Sequence, residues 1–249
     1  MEQTVPPDSI FQVATGFMAS KHLFVAAEIG LFEHIADRGS TLDELSARTN
    51  VPRRTLRMVA GAMVALGFVD RRGELYLNGP VAATFLAGRT AADLRPMMRF
   101  WNRLSYRRWQ NLEAAVRTGG ATTKEYHGGF TPEDQRIFSE GVEAATAGAA
   151  QALAAGYDFA RHQRVIDVGG GTGSFLIYIL THHPHLQGTL FELPAVAGLA
   201  RKRIASIRVA LQVAVHDGDF LEDPIPCGTT RRFWPTSSTD THPNKTLRR

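Results

Sequence analysis

The first third of the chain carries apolar residues at helical spacing. Over residues 7–33 they recur every three or four positions, which predicts amphipathic helices with a broad apolar face. Thr41-Leu42-Asp43-Glu44 is a capping-box pattern and predicts a short helix over residues 42–49. Residues 52–66, with proline in the first turn, predict a second helix that Gly67 ends.

The apolar period changes after this second helix. Phe68 to Leu77 alternates apolar and polar positions around an Arg-Gly turn, as a small β-hairpin would. Helix, turn, helix and hairpin in this order are typical of a winged-helix module. Residues 91–156 return to helical character, interrupted by a Gly/Thr-rich loop over residues 118–132. We therefore predict a helical and winged-helix-like domain over residues 1–156.

The sequence beyond residue 156 alternates strand and helix signals. The predicted elements are a strand at 164–168, a helix at 173–183, a strand at 188–192, a helix at 195–206 and a strand at 211–215. This alternation predicts an α/β domain over residues 157–226, with a parallel, doubly wound sheet. The predicted fold class is thus an α/β doubly wound sheet preceded by an α-helical, winged-helix domain.

Composition narrows the class of protein. The chain has 249 residues and 44% hydrophobic content, which is typical of a globular protein. No stretch approaches about 18 consecutive apolar residues, and the N-terminus has no secretory signal pattern. We therefore expect a cytoplasmic protein with no membrane segment. The single cysteine, Cys227, excludes an internal disulfide.

The net charge of +4 lies in the last part of the chain. Residues 1–226 carry 23 basic and 23 acidic side chains, whereas residues 227–249 carry five basic and one acidic. A neutral folded part argues against nucleic acid as a partner. Arg53, Arg54 and Arg57 on the second predicted helix nevertheless keep a winged-helix DNA-binding regulator open as an alternative function.

A strand that runs into a glycine-rich turn carries the main chemical signal. Asp167, Gly169, Gly171 and Gly173 form a D-x-G-x-G-x-G pattern directly after an apolar strand. Glycines let the backbone approach a ligand closely, and the following helix points its free N–H groups at that ligand. A dinucleotide fingerprint requires glycine at position 174, which is serine here, so the pattern favours S-adenosylmethionine over NAD. A purely structural turn is the alternative.

Acidic and aromatic residues follow the next two strands. Glu192 ends the second strand 19 residues after Gly173, where its carboxylate can accept hydrogen bonds from both ribose hydroxyls. Asp219 and Phe220 come just after the third strand, where they can contact the adenine amino group and ring. An exposed acid at a strand end, and a turn-forming Asp beside a core Phe, are the alternatives.

Three histidines at a helix end suggest a metal site at first sight. His182, His183 and His185 flank Pro184, which breaks the helix, and no acidic or cysteine ligand lies near them in sequence. We therefore expect a solvated histidine cluster and no metal.

The motifs, in this order, resemble the small-molecule O-methyltransferases of the caffeic acid, hydroxyindole and bacterial polyketide type. The resemblance covers about residues 8–226 and rests on Asp167 to Gly173, Phe191-Glu192-Leu193-Pro194 and Gly218-Asp219-Phe220-Leu221. It implies a class I methyltransferase, Rossmann-like domain in which these segments open the S-adenosylmethionine site, hold its ribose and bind its adenine. It also implies a homodimer through the N-terminal domain, and methyl transfer to a hydroxyl of a small aromatic metabolite as acceptor.

The sequence departs from the family pattern after Pro226. Residues 227–249 show neither strand alternation nor helical periodicity, so we predict a disordered tail unrelated to the family. The resemblance implies a fourth strand and a general-base histidine segment here, and neither pattern is present, so the catalytic residues are unknown. We expect a sheet that is incomplete at the C-terminus, with an unpaired edge on the strand at 164–168. A reading-frame slip near Cys227 is one explanation, and a non-catalytic S-adenosylmethionine-binding protein is a further alternative.

Overall fold

The computed structural model describes residues 6–120 and 130–226, together with the backbone of Arg232 and Phe233. The chain divides into two compact units, residues 1–145 and 146–249, which we name the N-terminal and C-terminal units. The long helix over residues 132–156 contributes its first part to one unit and its last part to the other.

The N-terminal unit consists of helices and one small sheet. Its elements are α1 (Asp8–Glu28), α2 (Leu31–His34), β1 (Ser40–Thr41), α3 (Leu42–Thr49), α4 (Arg53–Ala65), β2 (Val69–Arg72), β3 (Leu75–Asn78), α5 (Pro80–Phe85), α6 (Arg95–Phe100), a π-helical turn (Trp101–Ser105), α7 (Tyr106–Trp109), α8 (Leu112–Thr118) and the start of α9 (Pro132–Gly156).

The winged-helix module begins at the predicted capping box. Thr41 Oγ1 accepts the Glu44 N–H at 3.3 Å, and Glu44 Oε2 accepts the Thr41 N–H at 2.8 Å. These bonds satisfy N–H groups that the start of a helix leaves without partners, so α3 begins where the sequence predicts. The antiparallel strands, in the order β1-β3-β2, complete the module with α3 and α4.

Helix α1 is buried only near its C-terminal end. Phe24 and Ala26 are buried, and they join a core that includes Leu31, Leu45 and Met63. The first half of α1 exposes its apolar side chains. In the described part of the chain, α1 is the one helix that is long and apolar enough to cross a membrane, a test that core helices and signal sequences also pass.

The C-terminal unit contains a parallel sheet. After the end of α9 its elements are β4 (Arg164–Val168), α10 (Ser174–His182), β5 (Gln187–Glu192), α11 (Pro194–Ala205), a 3-10 turn (Ala210–Gln212), β6 (Val213–Asp217) and β7 (Arg232–Phe233). The strand order is β6-β5-β4-β7, and each neighbouring pair is parallel. The predicted alternation of strands and helices around a parallel sheet is therefore confirmed.

The central strand is apolar because both of its faces are covered. Val165 packs with Leu176, Leu190 and Ile204 on one side of the sheet. Ile166 and Val168 point to the other side, where they pack with Phe191 and Phe220. A strand buried on both faces is apolar at successive positions, which explains Val165, Ile166 and Val168, and Asp167 is the exception in this strand.

The last predicted strand is displaced by two residues. The sequence predicts it over residues 211–215, but β6 spans Val213–Asp217. Residues 210–212 form a 3-10 turn instead, in which Leu211 is 98% exposed. The apolar side chain of Leu211 therefore does not mark an inward-facing strand position.

The predicted unpaired edge of β4 is wrong at two residues. Ile166 pairs with Arg232 and Asp167 with Phe233, so a short strand lies along this edge. Backbone hydrogen bonds lower the cost of a buried strand edge, which accounts for the pairing. The rest of the predicted disordered tail, residues 227–231 and 234–249, lies outside the described residues.

Candidate cofactor site

The glycine turn connects the end of β4 to the start of α10. Gly169, Gly171 and Gly173 have φ values of +68°, +61° and +87°, in the region that glycine adopts without strain. The Gly169 N–H donates to the Phe191 carbonyl at 2.8 Å, which joins the turn to β5. The pattern of alternate glycines is thus required by the backbone path of the turn.

Two further glycines allow close packing around this turn. A Cβ at Gly170 would lie 2.3 Å from the carboxyl group of Asp167, and a Cβ at Gly218 would lie 2.3 Å from the ring of Phe191. Neither residue has positive φ, so steric contact alone accounts for glycine here. Gly170 belongs to the Asp167–Gly173 motif and Gly218 to the Gly218–Leu221 motif, but the sequence does not show the contacts that restrict them.

Asp167 is a buried carboxyl group at the end of β4. Its side chain is 2% exposed, and within the described residues neither carboxyl oxygen has a hydrogen-bond partner. Burial raises the pKa of Asp167 to about 7, and the negative charge of Glu192 adds to this rise. A buried polar group without a partner is rare in folded proteins, and it indicates a site that a ligand can satisfy.

Glu192 ends the neighbouring strand and faces the same turn. Its Oε2 accepts the Gly171 N–H at 2.7 Å, and its Oε1 accepts the Leu193 N–H at 2.8 Å. Burial raises the pKa of Glu192, and these two backbone hydrogen bonds oppose the rise. The structure therefore brings Asp167, Gly171 and Glu192 together, although 21 residues separate Gly171 from Glu192.

Phe220 and Asp219 follow β6, with different contacts. The half-buried ring of Phe220 lies beside Gly169, 3.5 Å from where a Cβ would be. Asp219 Oδ1 accepts the Leu221 N–H at 2.9 Å, and the Asp219 N–H donates to Asp223 at 2.8 Å. Phe220 thus borders the glycine turn, whereas the contacts of Asp219 are those of a local turn.

Arg203 of α11 is a contact that sequence reasoning missed. Its Nη1 donates to Thr172 Oγ1 and to Ser174 Oγ, both at 2.9 Å, and to the Thr172 carbonyl at 3.3 Å. These acceptors lie on either side of Gly173. No sequence signal could have identified Arg203, because the contact depends on how α11 packs against the turn.

The histidine cluster is tied to the backbone. His183 Nε2 donates to the Ala154 carbonyl at 2.8 Å, and His185 Nε2 donates to the Phe159 carbonyl at 3.3 Å. The predicted solvated cluster is thus wrong for His183, which is half-buried. Within residues 6–120 and 130–226, no three His, Cys, Asp or Glu side chains are grouped to hold a metal ion.

The arginines at the start of α4 differ from one another. Arg53 pairs with Asp43 at 2.5 Å, so its charge is balanced within the winged-helix module. Arg54 and Arg57 are exposed. This arrangement gives no support to the DNA-binding alternative. That the protein does not bind nucleic acid stays a prediction.

Comparison with known proteins identifies both halves of the chain. Residues 11–88 match the O-methyltransferase dimerisation domain, and residues 109–230 match the O-methyltransferase domain. The polyketide-synthesis 8-O-methyl transferase TcmO of Streptomyces glaucescens is 31% identical over 225 residues, with 88% of this chain and 66% of that protein covered. The phenazine O-methyltransferase PhzM of Lysobacter antibioticus is 32% identical, with 87% and 66% covered.

A solved structure gives the same result in three dimensions. The crystal structure of LaPhzM superposes with a TM-score of 0.81 at 31% identity, covering 92% of this chain and 71% of that one. The chain spans 66% of the length of TcmO and of PhzM, slightly under two thirds. The predicted fold class and family are confirmed: the chain belongs to the O-methyltransferase family whose members carry an N-terminal dimerisation domain.

Proposed function

We propose that this chain binds S-adenosylmethionine and belongs to an enzyme that methylates a hydroxyl group of a small aromatic metabolite. The relatives described above are a polyketide-synthesis O-methyl transferase and a phenazine O-methyltransferase, which supports this reaction and acceptor class. Bound S-adenosylmethionine supplies an electrophilic methyl group. The residues of this chain bind and orient the molecule that carries it.

We assign the amino-acid end of the cofactor to the glycine turn. Gly169, Gly171 and Gly173 carry no side chains, so a ligand can approach the backbone of the turn and the N-terminus of α10 closely. The partial positive charge of a helix N-terminus favours a carboxylate. The buried Asp167 carboxyl group, once ionised, favours an ammonium group at short range.

The observation that carries the proposal is the pair of buried carboxyl groups at adjacent strand ends. Within the described residues Asp167 has no hydrogen-bond partner, and each oxygen of Glu192 accepts one backbone N–H. A carboxylate oxygen can accept two hydrogen bonds, so Glu192 retains capacity for the two ribose hydroxyls. A ligand with an ammonium group and a ribose satisfies both acids, whereas two acids repel a pyrophosphate. This favours S-adenosylmethionine over NAD.

We assign the adenine to the edge formed by Phe220 and Asp219. The Phe220 ring borders the glycine turn and offers an apolar face for stacking. Asp219 is half-exposed next to it, where a carboxylate can accept a hydrogen bond from an amino group. Both assignments rest on the positions of Phe220 and Asp219 beside the glycine turn.

The test is a calorimetric titration of the full chain with S-adenosylhomocysteine, S-adenosylmethionine and NAD. We expect the two sulfur compounds to bind and NAD not to bind. Glu192→Gln should weaken binding by about tenfold or more, because it removes a charged acceptor from the ribose. Glu113→Gln, which changes an exposed acid of α8, is the matched control and should leave binding unchanged. Binding of NAD alone would overturn the assignment.

We also propose that the protein is a homodimer that uses α1. The first half of this helix exposes five apolar side chains: Ile10, Phe11, Val13, Phe17 and Met18. An apolar patch of this kind on a soluble protein marks a surface that a partner covers. Most of it lies in the segment that matches the dimerisation domain. A dimer of this kind explains the apolar α1 without a membrane, in agreement with a cytoplasmic location.

Light scattering after size-exclusion chromatography tests this proposal. We expect a dimer for the unmodified chain and a monomer for Phe17→Glu, because burying an unpaired charge at an interface is costly. Gln12→Glu adds the same charge on the opposite face of α1 and should leave the dimer intact. A dimer that survives Phe17→Glu would show that α1 does not form the interface.

A further inference from the structure

Arg203 of α11 contacts the residues on both sides of Gly173, where the glycine turn becomes helix α10. One guanidinium nitrogen donates to Thr172 Oγ1, Ser174 Oγ and the Thr172 carbonyl, at distances of 2.9 to 3.3 Å. Its partners immediately precede and follow Gly173, the residue that precedes the first residue of α10. The side chain therefore ties helix α11 to the point where the turn becomes a helix.

The position of Arg203 gives it two effects on this point of the turn. Hydrogen bonds from a charged donor are stronger than neutral ones, so they restrict the conformations of Thr172 and Ser174. The guanidinium also places a full positive charge close to the N-terminus of α10. There it adds to the partial positive charge of the helix and so favours an anion.

We infer that Arg203 is a positioning residue that makes the glycine turn select ligands with a carboxylate, through Thr172 and Ser174 and through its charge. This inference rests on the proposed S-adenosylmethionine site and refines it. Arg203 restricts Thr172 and Ser174 at the N-terminus of α10, beside the proposed position of the amino-acid end, and it acts on that end of the ligand alone. The two buried carboxyl groups, Asp167 and Glu192, bind the ammonium and the ribose independently of it.

Two ligands separate this role from a general structural one. S-adenosylhomocysteine contains adenine, ribose, sulfur and an amino-acid chain, whereas 5′-methylthioadenosine contains the first three and lacks the amino-acid chain. If Arg203 acts on the carboxylate, its loss weakens the binding of S-adenosylhomocysteine and leaves the binding of 5′-methylthioadenosine unchanged. If Arg203 only stabilises the fold, its loss lowers the affinity for both ligands by the same factor.

The experiment is a calorimetric titration of both ligands into the full chain and its variants. Arg203→Ala should lower the affinity for S-adenosylhomocysteine by about tenfold, as expected for the loss of charge-assisted hydrogen bonds. The affinity for 5′-methylthioadenosine should change by less than about twofold. Arg203→Lys keeps the charge without the planar fork and should recover part of the lost affinity. Lys202→Ala removes an exposed charge from the same helix and should change neither affinity.

A second variant covers the case in which Arg203→Ala does not fold. Thr172→Val combined with Ser174→Ala removes the two hydroxyl acceptors and keeps Arg203 in the chain. This double variant should lower the affinity for S-adenosylhomocysteine but not the affinity for 5′-methylthioadenosine. Equal losses for both ligands, or no loss for either, would overturn the role of Arg203 and leave the cofactor assignment intact. Absence of binding to the unmodified chain would overturn the cofactor assignment and this inference with it.

Discussion

The winged-helix module and the glycine turn hold their charged groups in opposite ways. In the winged-helix module, Arg53 and Asp43 form an ion pair whose side chains are 56% and 75% exposed. At the glycine turn, Asp167 and Glu192 are 2% and 8% exposed. Water hydrates the exposed charges of Arg53 and Asp43. Only the protein or a ligand can stabilise the buried charges of Asp167 and Glu192.

This difference separates a region that stabilises the fold from a region prepared for a ligand. The charges of the module can be removed with little effect, because exposed ion pairs contribute little to stability. The buried acids of the turn lower stability, because burial without full hydrogen bonding disfavours the charged form. A protein that retains such acids gives up some stability at a place where local structural rules conflict, and such places are typically functional.

Asp167→Asn should give the largest effect, in the form of a changed pH dependence. The pKa of an Asp in an unfolded chain is about 3.9, while burial in the folded protein raises the pKa of Asp167 to about 7. Between these values the folded state holds a proton that the unfolded state has lost, so stability falls as pH rises. The unmodified protein should lose up to about 4 kcal/mol between pH 4 and pH 8 from this group.

Urea unfolding followed by circular dichroism at pH 5 and pH 8 measures this change. The Asp167→Asn variant cannot ionise and should lose much less stability between the two values. Part of the slope should remain, because burial raises the pKa of Glu192 in the same direction. An equal loss in both proteins would mean that Asp167 titrates normally in the folded state.

Gly218→Ala and Gly61→Ala compare a tightly packed glycine with one that has open space around it. The added Cβ would lie 2.3 Å from the buried ring of Phe191, so the free energy of unfolding should fall by about 2 kcal/mol or more. Gly61→Ala in α4 is the matched control, because its Cβ would meet no atom of the described residues within 4 Å. This second change should raise stability by up to about 1 kcal/mol, since alanine favours a helix. Thermal unfolding of both variants gives the signs, and two equal losses would contradict the packing argument.

Thr41→Ala tests a side chain that stabilises the winged-helix module. The substitution removes the hydroxyl that accepts the Glu44 N–H at the start of α3. Loss of such a cap costs about 1 kcal/mol, and Thr41→Ser should restore most of it. Hydrogen exchange of the first-turn amides of α3 locates the effect, which should leave the amides of β4 unchanged.

Arg53→Ala should have the smallest effect of the four. Its partner Asp43 is mostly exposed, so the change in unfolding free energy should stay below about 0.5 kcal/mol. Denaturant unfolding in low and in high salt is the measurement. A loss above about 1 kcal/mol would show that the ion pair belongs to a larger network than the exposed pair seen here.

Several elements were predictable because their causes are local. The capping box fixed the start of α3, and the alternate glycines fixed the turn after β4, since each depends on neighbouring residues. The start of β6 and the pairing of β4 were not predictable. The start of β6 depends on which side chains find space in the core, as exposed Leu211 illustrates, and the pairing of β4 depends on a segment that is distant in sequence.

The sequence by itself determined the family, the order of the main strands and helices up to β6, and the positions of Asp167, Glu192 and the glycines of the turn. Only the tertiary structure decided that Asp167 is buried with no hydrogen-bond partner among the described residues, that Glu192 accepts the Gly171 N–H, and that Arg203 reaches Thr172 and Ser174. The physical reason is the separation along the chain over which each interaction acts. Propensity, capping and glycine geometry act over a few residues, whereas burial and hydrogen bonds between strands and helices arise only when distant segments pack together.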